Sequence, residues 1–232
     1  MPFHEQLARR ARVIAPAHPG CSQSEENRDI ETIEDVVFHY LEVLDALALP
    51  QFDLVGSCVG GWIAAELAAR HPEKIRRLAL IGATGLFVEN ALIGDVFMMA
   101  QPERGSSYAG LREMLFSSSD HPQSLALFPD GMGEIDEELR RYQMLRFTSR
   151  IGFKPPYFYN RSLKNRLYRI AAPTLVIWGE KDRMVPRLHG ETYARSIAEA
   201  AALKVIAEAG HAVQVENPDA TAKMILDFFA ND

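Results

Sequence analysis

The chain has 232 residues, of which 47% are hydrophobic and 24% charged, and its formal net charge is −6 at pH 7. This composition is typical of a folded protein with one sizeable core, and the acidic balance argues against a nucleic-acid partner. No apolar run is long enough to span a membrane, and two cysteines are too few for a disulfide framework. We therefore expect a cytoplasmic protein with no nucleic-acid or membrane partner.

The first third of the chain alternates helical and strand patterns. In chain order we predict a helix over residues 2–10, a strand over 12–17, a helix over 30–49, a strand over 51–56 and a helix over 62–70. For the second helix, Asp29 is preferred over Thr32 as the N-cap.

The alternation continues in the last third of the chain. Here we predict strands over residues 77–82, 173–179 and 203–206, and helices over about 187–199 and 218–229. Strands that are apolar on both faces and alternate with helices favour a mostly parallel sheet covered on both sides, which is an α/β fold.

Residues 87–170 interrupt this rhythm. They are richer in Met, Phe, Tyr, Ser and Gly and show helical patches without a strong strand. We interpret them as a helical cap inserted into a core formed by residues 1–86 and 171–232.

The strand-to-helix junction at residues 56–61 has the sequence Gly-Ser-Cys-Val-Gly-Gly. It has the form of a nucleophile elbow, G-x-S-x-G, with cysteine in the place of serine. The glycines permit a sharp turn, and a thiol at its apex lies at a helix N-terminus, where the dipole favours the thiolate. Cys58 is therefore the candidate nucleophile, and the chemistry indicated is acyl transfer through a thioester.

Two further residues complete a catalytic triad in chain order. Asp182 follows the strand over residues 173–179, and His211 follows the strand over 203–206. Because parallel strands end at one edge of the sheet, we expect both to lie near Cys58. His211 would accept and return protons and Asp182 would orient the imidazole. Taken singly, each residue also fits an ordinary buried or loop position, so the hypothesis depends on their combination.

Three more residues are candidates for oxyanion or substrate contacts. Val59 follows the nucleophile and offers its backbone N–H, Ser57 precedes the nucleophile, and His18 lies in a loop at the same sheet edge. No spacing typical of metal ligands occurs, and we expect no metal and no cofactor.

With these motifs the chain resembles the α/β-hydrolase superfamily over nearly its whole length, and most closely its capped esterases. The resemblance implies the α/β-hydrolase fold with a helical cap. A cysteine nucleophile is similar to that of the dienelactone hydrolases. Epoxide hydrolases and haloalkane dehalogenases would need an aspartate at the position of Cys58, which disfavours those activities.

The sequence departs from the family pattern at its beginning. Family members have further N-terminal strands, one of which ends in a His-Gly loop that supplies an oxyanion-hole amide. We therefore expect the sequence to be N-terminally incomplete, with Val59 as the remaining evident donor. The loss of a strand beside the elbow would expose a sheet edge, so a homodimer is one option for the oligomeric state.

The resulting hypothesis is an esterase-like hydrolase (EC 3.1) that acts on small-molecule acyl substrates through Cys58, His211 and Asp182. An acyltransferase with the same triad is the first alternative, because thioesters also react with amines and thiols. A non-catalytic or truncated binding protein is the second, because of the missing oxyanion loop and the unusual nucleophile.

Overall fold

The secondary structure alternates strands and helices, as seen in a computed structural model that describes residues 1–99, 108–131, 133–153, 157–197 and 201–230. The strands are β1 (Phe52–Ser57), β2 (Ile75–Ile81), β3 (Thr174–Gly179) and β4 (Ala201–Ile206). The α-helices are α1 (Pro2–Ala8), α2 (Ile33–Ala46), α3 (Val59–Arg70), α4 (Val96–Met99), α5 (Ala109–Leu115), α6 (Pro122–Leu127), α7 (Ile135–Gly152), α8 (Leu188–Ser196), α9 (Val213–Glu216) and α10 (Pro218–Ala230).

The four strands form one parallel sheet in the order β1-β2-β3-β4. Ser57 pairs with Ile81, Ile81 with Ile177, and Ile177 with Lys204. The carboxyl ends of the strands therefore lie side by side. This arrangement confirms the α/β fold predicted from the sequence.

Side chains of the central strands alternate between two apolar layers. Leu78 and Leu80 of β2 pack into the layer that contains α2, α3 and α8. Ala79 and Ile81 pack into the opposite layer with residues of α1 and α10. Because successive residues of a strand point to opposite faces, a continuous apolar run is what a sheet covered on both sides requires.

The strand predicted over residues 12–17 is wrong, since the structure gives these residues no regular secondary structure. Pro16 has no N–H to donate to a strand ladder. Val13 packs against the layer of α1 and α10, but no described backbone group outside β2 pairs with β1. The outer edge of β1 is therefore open among the described residues.

The start of α2 differs from the prediction, because its N-cap is Thr32 and not Asp29. The Thr32 side chain accepts a hydrogen bond from the Asp35 N–H, and the Asp35 carboxylate accepts one from the Thr32 N–H. This reciprocal capping box satisfies two donors at once, which a single aspartate does not.

Other element boundaries move by a few residues. Helix α1 ends at Ala8, α3 begins at Val59, β2 begins at Ile75 and β4 begins at Ala201. The start of α3 is the most informative change. The turn that carries Cys58 leads directly into the helix, so the two glycines at positions 60 and 61 are helical despite their low propensity.

The long connection from β2 to β3 contains α4 to α7 and a 3₁₀ helix (Lys164–Arg169). The 3₁₀ helix contacts α3 and α8, and its Leu167 is fully buried. The division into a core and a cap over residues 87–170 stays a prediction. Among the described residues, no helix has both the length and the apolar character needed to cross a membrane.

Candidate active site

Cys58 occupies the apex of the turn between β1 and α3, in a backbone conformation with φ 52° and ψ −119°. Its N–H donates to the Ile81 carbonyl over 2.9 Å. Its carbonyl accepts from the N–H groups of Gly61 (3.0 Å), Trp62 (3.2 Å) and Thr84 (3.2 Å). A positive φ is costly for a residue with a Cβ, and these hydrogen bonds hold the strained turn in place.

Two glycines make the turn sterically feasible. A Cβ at Gly56 would lie 2.3 Å from the Gly60 carbonyl oxygen, and one at Gly61 would lie 2.6 Å from the Ala83 Cβ. A side chain at Gly56 would force β1 and α3 apart, and one at Gly61 would push α3 away from the loop after β2. The elbow motif is therefore realised with the geometry that its glycines indicate.

The structure brings Asp182 and His211 together at the carboxyl edge of the sheet. His211 Nδ1 lies 2.9 Å from Asp182 Oδ2, and the side chains are only 5% and 1% exposed. Asp182 Oδ1 accepts from the N–H groups of Met184 (2.9 Å) and Val185 (2.8 Å). Both carboxylate oxygens are thus engaged, which fixes the carboxylate and assigns the Nδ1 proton to the side of Asp182.

The charge state of His211 follows from its neighbours. Burial by itself lowers the pKa of the imidazole, but the Asp182 carboxylate and Cys58 outweigh it and hold the His211 pKa well above its ordinary value. Nε2 is buried and close enough to Cys58 for the thiol to raise the His211 pKa, although no described group meets full hydrogen-bond geometry with this nitrogen. This nitrogen is therefore available to a reacting group beside Cys58.

Gly82, directly after β2, borders the same pair. It has a φ of +50°, and a Cβ there would lie 3.1 Å from both Cε1 and Nδ1 of His211 and 3.5 Å from Asp182 Oδ2. A side chain at Gly82 would therefore crowd the His211 imidazole, and glycine leaves room for the ring.

Val59 and Ser57 are the chain neighbours of Cys58 and lie at the start of α3 and the end of β1. Val59 is the first residue of α3, and no described group accepts a hydrogen bond from its N–H. Ser57 ends β1 opposite Ile81. Their roles as oxyanion donor and substrate contact stay predictions.

His18 makes its described contacts elsewhere. Its Nδ1 lies 2.6 Å from the Tyr40 hydroxyl, and its ring stacks on Phe147 of α7 with centroids 4.2 Å apart. Burial, assisted by the charge of His39, lowers the pKa of His18 to about 4. Among the described residues it has no hydrogen bond to the triad, and its role in substrate contact stays a prediction.

Two supporting residues escaped the sequence interpretation. Thr84 donates its N–H to the Cys58 carbonyl, and its own carbonyl accepts from the buried Tyr193 hydroxyl over 2.5 Å. Glu216 of α9 accepts from the Gly210 N–H over 2.6 Å, next to His211. The sequence shows that Glu216 follows His211 by five residues, but it does not show that the carboxylate bonds to Gly210 and Ser117.

Comparison with known families matches residues 2–218 to the model described as the alpha/beta hydrolase fold. This chain belongs to that family. The α/β hydrolase is 31% identical to 2-hydroxymuconate semialdehyde hydrolase from Pseudomonas sp. (strain CF600), over 97% of this chain and 78% of the relative. It is 28% identical to human monoacylglycerol lipase ABHD6, over 94% of this chain and 66% of the lipase.

Solved structures show the same fold. 2-Hydroxy-6-oxo-6-phenylhexa-2,4-dienoate hydrolase from Rhodococcus sp. strain RHA1 superposes on this α/β hydrolase with a TM-score of 0.78, at 23% identity over 99% of this chain and 84% of that chain. A serine hydrolase involved in carbazole degradation, the CarC enzyme, gives a TM-score of 0.74 at 21% identity, over 99% of this chain and 83% of that one.

Proposed function

We propose that this protein is a hydrolase that forms a thioester between Cys58 and the acyl group of a small-molecule substrate. The observation that carries the proposal is the position of Cys58 at the apex of the strand-to-helix turn, beside the buried His211–Asp182 pair. A thiol in this setting has a base, an orienting carboxylate and a helix N-terminus around it.

In the acylation step the Cys58 thiol proton passes to His211 Nε2, the sulfur attacks the substrate carbonyl, and a carbon–sulfur bond forms. The bond to the leaving group breaks, and the leaving oxygen takes the proton from His211 Nε2. The Val59 N–H, at the start of α3, is the proposed donor to the oxyanion. Ser57 and His18 stay proposed substrate contacts.

In the deacylation step water attacks the thioester carbon and gives its proton to His211 Nε2. The carbon–sulfur bond breaks and the Cys58 thiolate returns. Because the thioester sulfur carries no charge, the contribution of Cys58 to the raised pKa of His211 is absent in this intermediate. The His211 pKa is therefore lower there than in the free enzyme, which favours the neutral imidazole needed as a base.

A second candidate is hydrolysis of a carbon–carbon bond in an oxo acid of the kind named for the 31% identical relative. The Cys58 thiol proton would pass to His211 and the sulfur would attack the aldehyde carbon. The adjacent carbon–carbon bond would then break, and the departing carbon would take that proton from His211. The same triad serves both reactions, so the substrate decides between them.

The proposal is tested by intact-mass measurement after reaction with an activated aryl ester. Wild type and Cys21→Ala are expected to gain one acyl group and Cys58→Ala none. Cys21 is a matched control because it is a buried thiol whose Sγ lies 3.5 Å from the Gln143 carbonyl. His211→Ala should retain the acyl group longer, because deacylation lacks its base. An adduct of equal size on Cys58→Ala would contradict the proposal.

A substrate panel separates the remaining options. Hydrolysis of an aryl ester, a monoacylglycerol and 2-hydroxymuconate semialdehyde should be compared, with and without added amines and thiols. Transfer of the acyl group to these acceptors would indicate an acyltransferase, and ligand binding without turnover or adduct would indicate a non-catalytic protein.

Both cysteines are free thiols in the structure, which is typical of proteins from a reducing compartment. We therefore propose the cytoplasm as the location of the protein.

A further inference from the structure

The end of α5 and the two residues that follow it, Leu115–Ser117, lie against the loop that carries His211. The Ala212 N–H donates to the Leu115 carbonyl over 2.8 Å. On the other side of His211, a Cβ at Gly210 would lie 2.4 Å from the Phe116 carbonyl carbon and 2.5 Å from the Ser117 nitrogen. The residues before and after His211 thus touch the same three residues of the β2–β3 connection.

Glu216 completes this contact from α9. Its Oε1 accepts from the Ser117 N–H over 2.8 Å and from the Ser117 hydroxyl, and its Oε2 accepts from the Gly210 N–H over 2.6 Å. The carboxylate therefore joins Ser117 to the residue that immediately precedes His211. Hydrogen bonds to an ionised acceptor are roughly twice as strong as neutral ones.

The loop of the catalytic acid is attached to the same part of the chain. Arg183, the neighbour of Asp182, donates from Nη1 to the Glu113 carbonyl over 2.8 Å. The segment Glu113–Ser117 therefore touches the acid loop and the base loop at once.

We propose that Glu216 is a positioning residue that fixes His211 against Asp182 and Cys58 by tying the Gly210–Ala212 loop to Ser117. The proposal rests on the role of His211 in the proposed function. A full carboxylate is needed because three donors converge on its two oxygens. An amide offers one oxygen, and its NH₂ would face the N–H of either Ser117 or Gly210. A displacement of about 1 Å in a catalytic group can cost on the order of 100-fold in rate.

The test compares Glu216→Gln with the matched control Glu208→Gln. Glu208 lies two residues before Gly210, but its side chain is 75% exposed and pairs with Lys181 on the solvent side. E216Q is expected to lower kcat by roughly 10- to 100-fold with little change in KM, because substrate binding is kept while the base is misplaced. E208Q is expected to match wild type.

Two readouts separate positioning from a merely structural role. In an NMR titration of ¹⁵N-histidine-labelled protein, the His211 pKa should fall toward its ordinary value in E216Q, because the contact with Asp182 loosens. At neutral pH the alkylation of Cys58 by iodoacetamide should slow in E216Q, and this rate does not depend on turnover. Ser117→Ala, which removes one of the three donors, should give a smaller change in the same direction and serves if E216Q fails to fold.

Unchanged His211 titration and unchanged kcat in folded E216Q would overturn the proposal. If wild type hydrolyses none of the test substrates, the proposed function fails. The titration and the alkylation rate still decide whether Glu216 positions His211.

Discussion

His18 is a histidine that the fold keeps neutral. It lies between the Tyr40 hydroxyl and the Phe147 ring, and its pKa is lowered to about 4, chiefly by burial. The unfolded chain has an ordinary histidine pKa of about 6.5. Between these two values the unfolded state binds more protons, so the free energy of unfolding decreases as the pH falls from about 6.5 to 4.

We predict that His18→Phe reduces the acid sensitivity of the fold. The shift corresponds to up to about 3 kcal/mol of stability, present above the unfolded pKa and lost as the pH falls through the folded pKa. Phenylalanine keeps the stack on Phe147 and loses the contact with Tyr40. Urea unfolding at pH 8 measures that loss alone, and unfolding at pH 6.5 and 4.5 measures the titration. If the free energy of unfolding falls equally between pH 6.5 and 4.5 in wild type and in His18→Phe, His18 does not cause the acid sensitivity.

Helix α3 carries a buried carboxylate that joins it to its neighbours. Glu66 is fully buried and accepts from Trp62 Nε1 (3.3 Å), from Asn160 Nδ2 (2.8 Å) and from the Arg70 guanidinium. Arg70 also pairs with Glu34 of α2 over 2.9 Å. The elbow helix is thus held to α2 and to the end of the β2–β3 connection by one charged network.

We predict that Glu66→Ala destabilises the protein by about 2–4 kcal/mol, because the Trp62 and Asn160 donors lose this buried acceptor and Arg70 keeps only its ion pair with Glu34. Glu34→Ala is the control. Its side chain is 44% exposed, so it should cost no more than about 1 kcal/mol. Urea denaturation gives both values. If both variants lose a similar free energy of unfolding, the burial of Glu66 does not determine the size of the destabilisation.

The sequence predicts the turn and loops of the candidate site where the information is local. The elbow around Cys58 is a contiguous motif, and the loops of Asp182 and His211 follow strands whose apolar runs are plain. Glu216 could not be predicted, because its partner Ser117 lies 99 positions away. The strand over residues 12–17 failed because strand propensity says nothing about whether a neighbouring strand is present.

The same distinction holds for the start of α2. The sequence contains the capping-box pattern Thr32-x-x-Asp35, and the prediction of Asp29 as the N-cap is wrong. Reciprocal hydrogen bonds between two nearby residues outweigh the preference of one residue for a cap.

At the scale of the whole molecule, the sheet has β1 at one edge, and no described backbone group pairs with its outer side. Open strand edges are templates for pairing with another chain. We predict a homodimer in solution, detected by light scattering as a mass near twice the 26.0 kDa of one chain.

Hydrogen exchange supplies the location of that contact. The backbone amides of Phe52–Ser57 should exchange more slowly in concentrated than in dilute protein. As the control, the amide exchange rates of the first turns of α7, where Ile135 and Leu139 are exposed, should not change with concentration. A monomeric mass at the highest accessible concentration would contradict the prediction. So would a dimer whose β1 amides keep their dilute exchange rates.

The parallel pairing of β2 with β3 joins residues separated by the whole β2–β3 connection, roughly 90 residues between Ile81 and Thr174. The entropy cost of closing such a loop grows only with the logarithm of its length, so halving or doubling it changes the folding free energy by about 0.6 kcal/mol. As far as closure entropy is concerned, a chain with this topology can lengthen or shorten the exposed parts of that connection at small cost. The three strand ends that carry Cys58, Asp182 and His211 keep their register meanwhile. The closure entropy of the fold therefore sets little limit on the length of this connection, while the strands that carry the proposed triad stay in register.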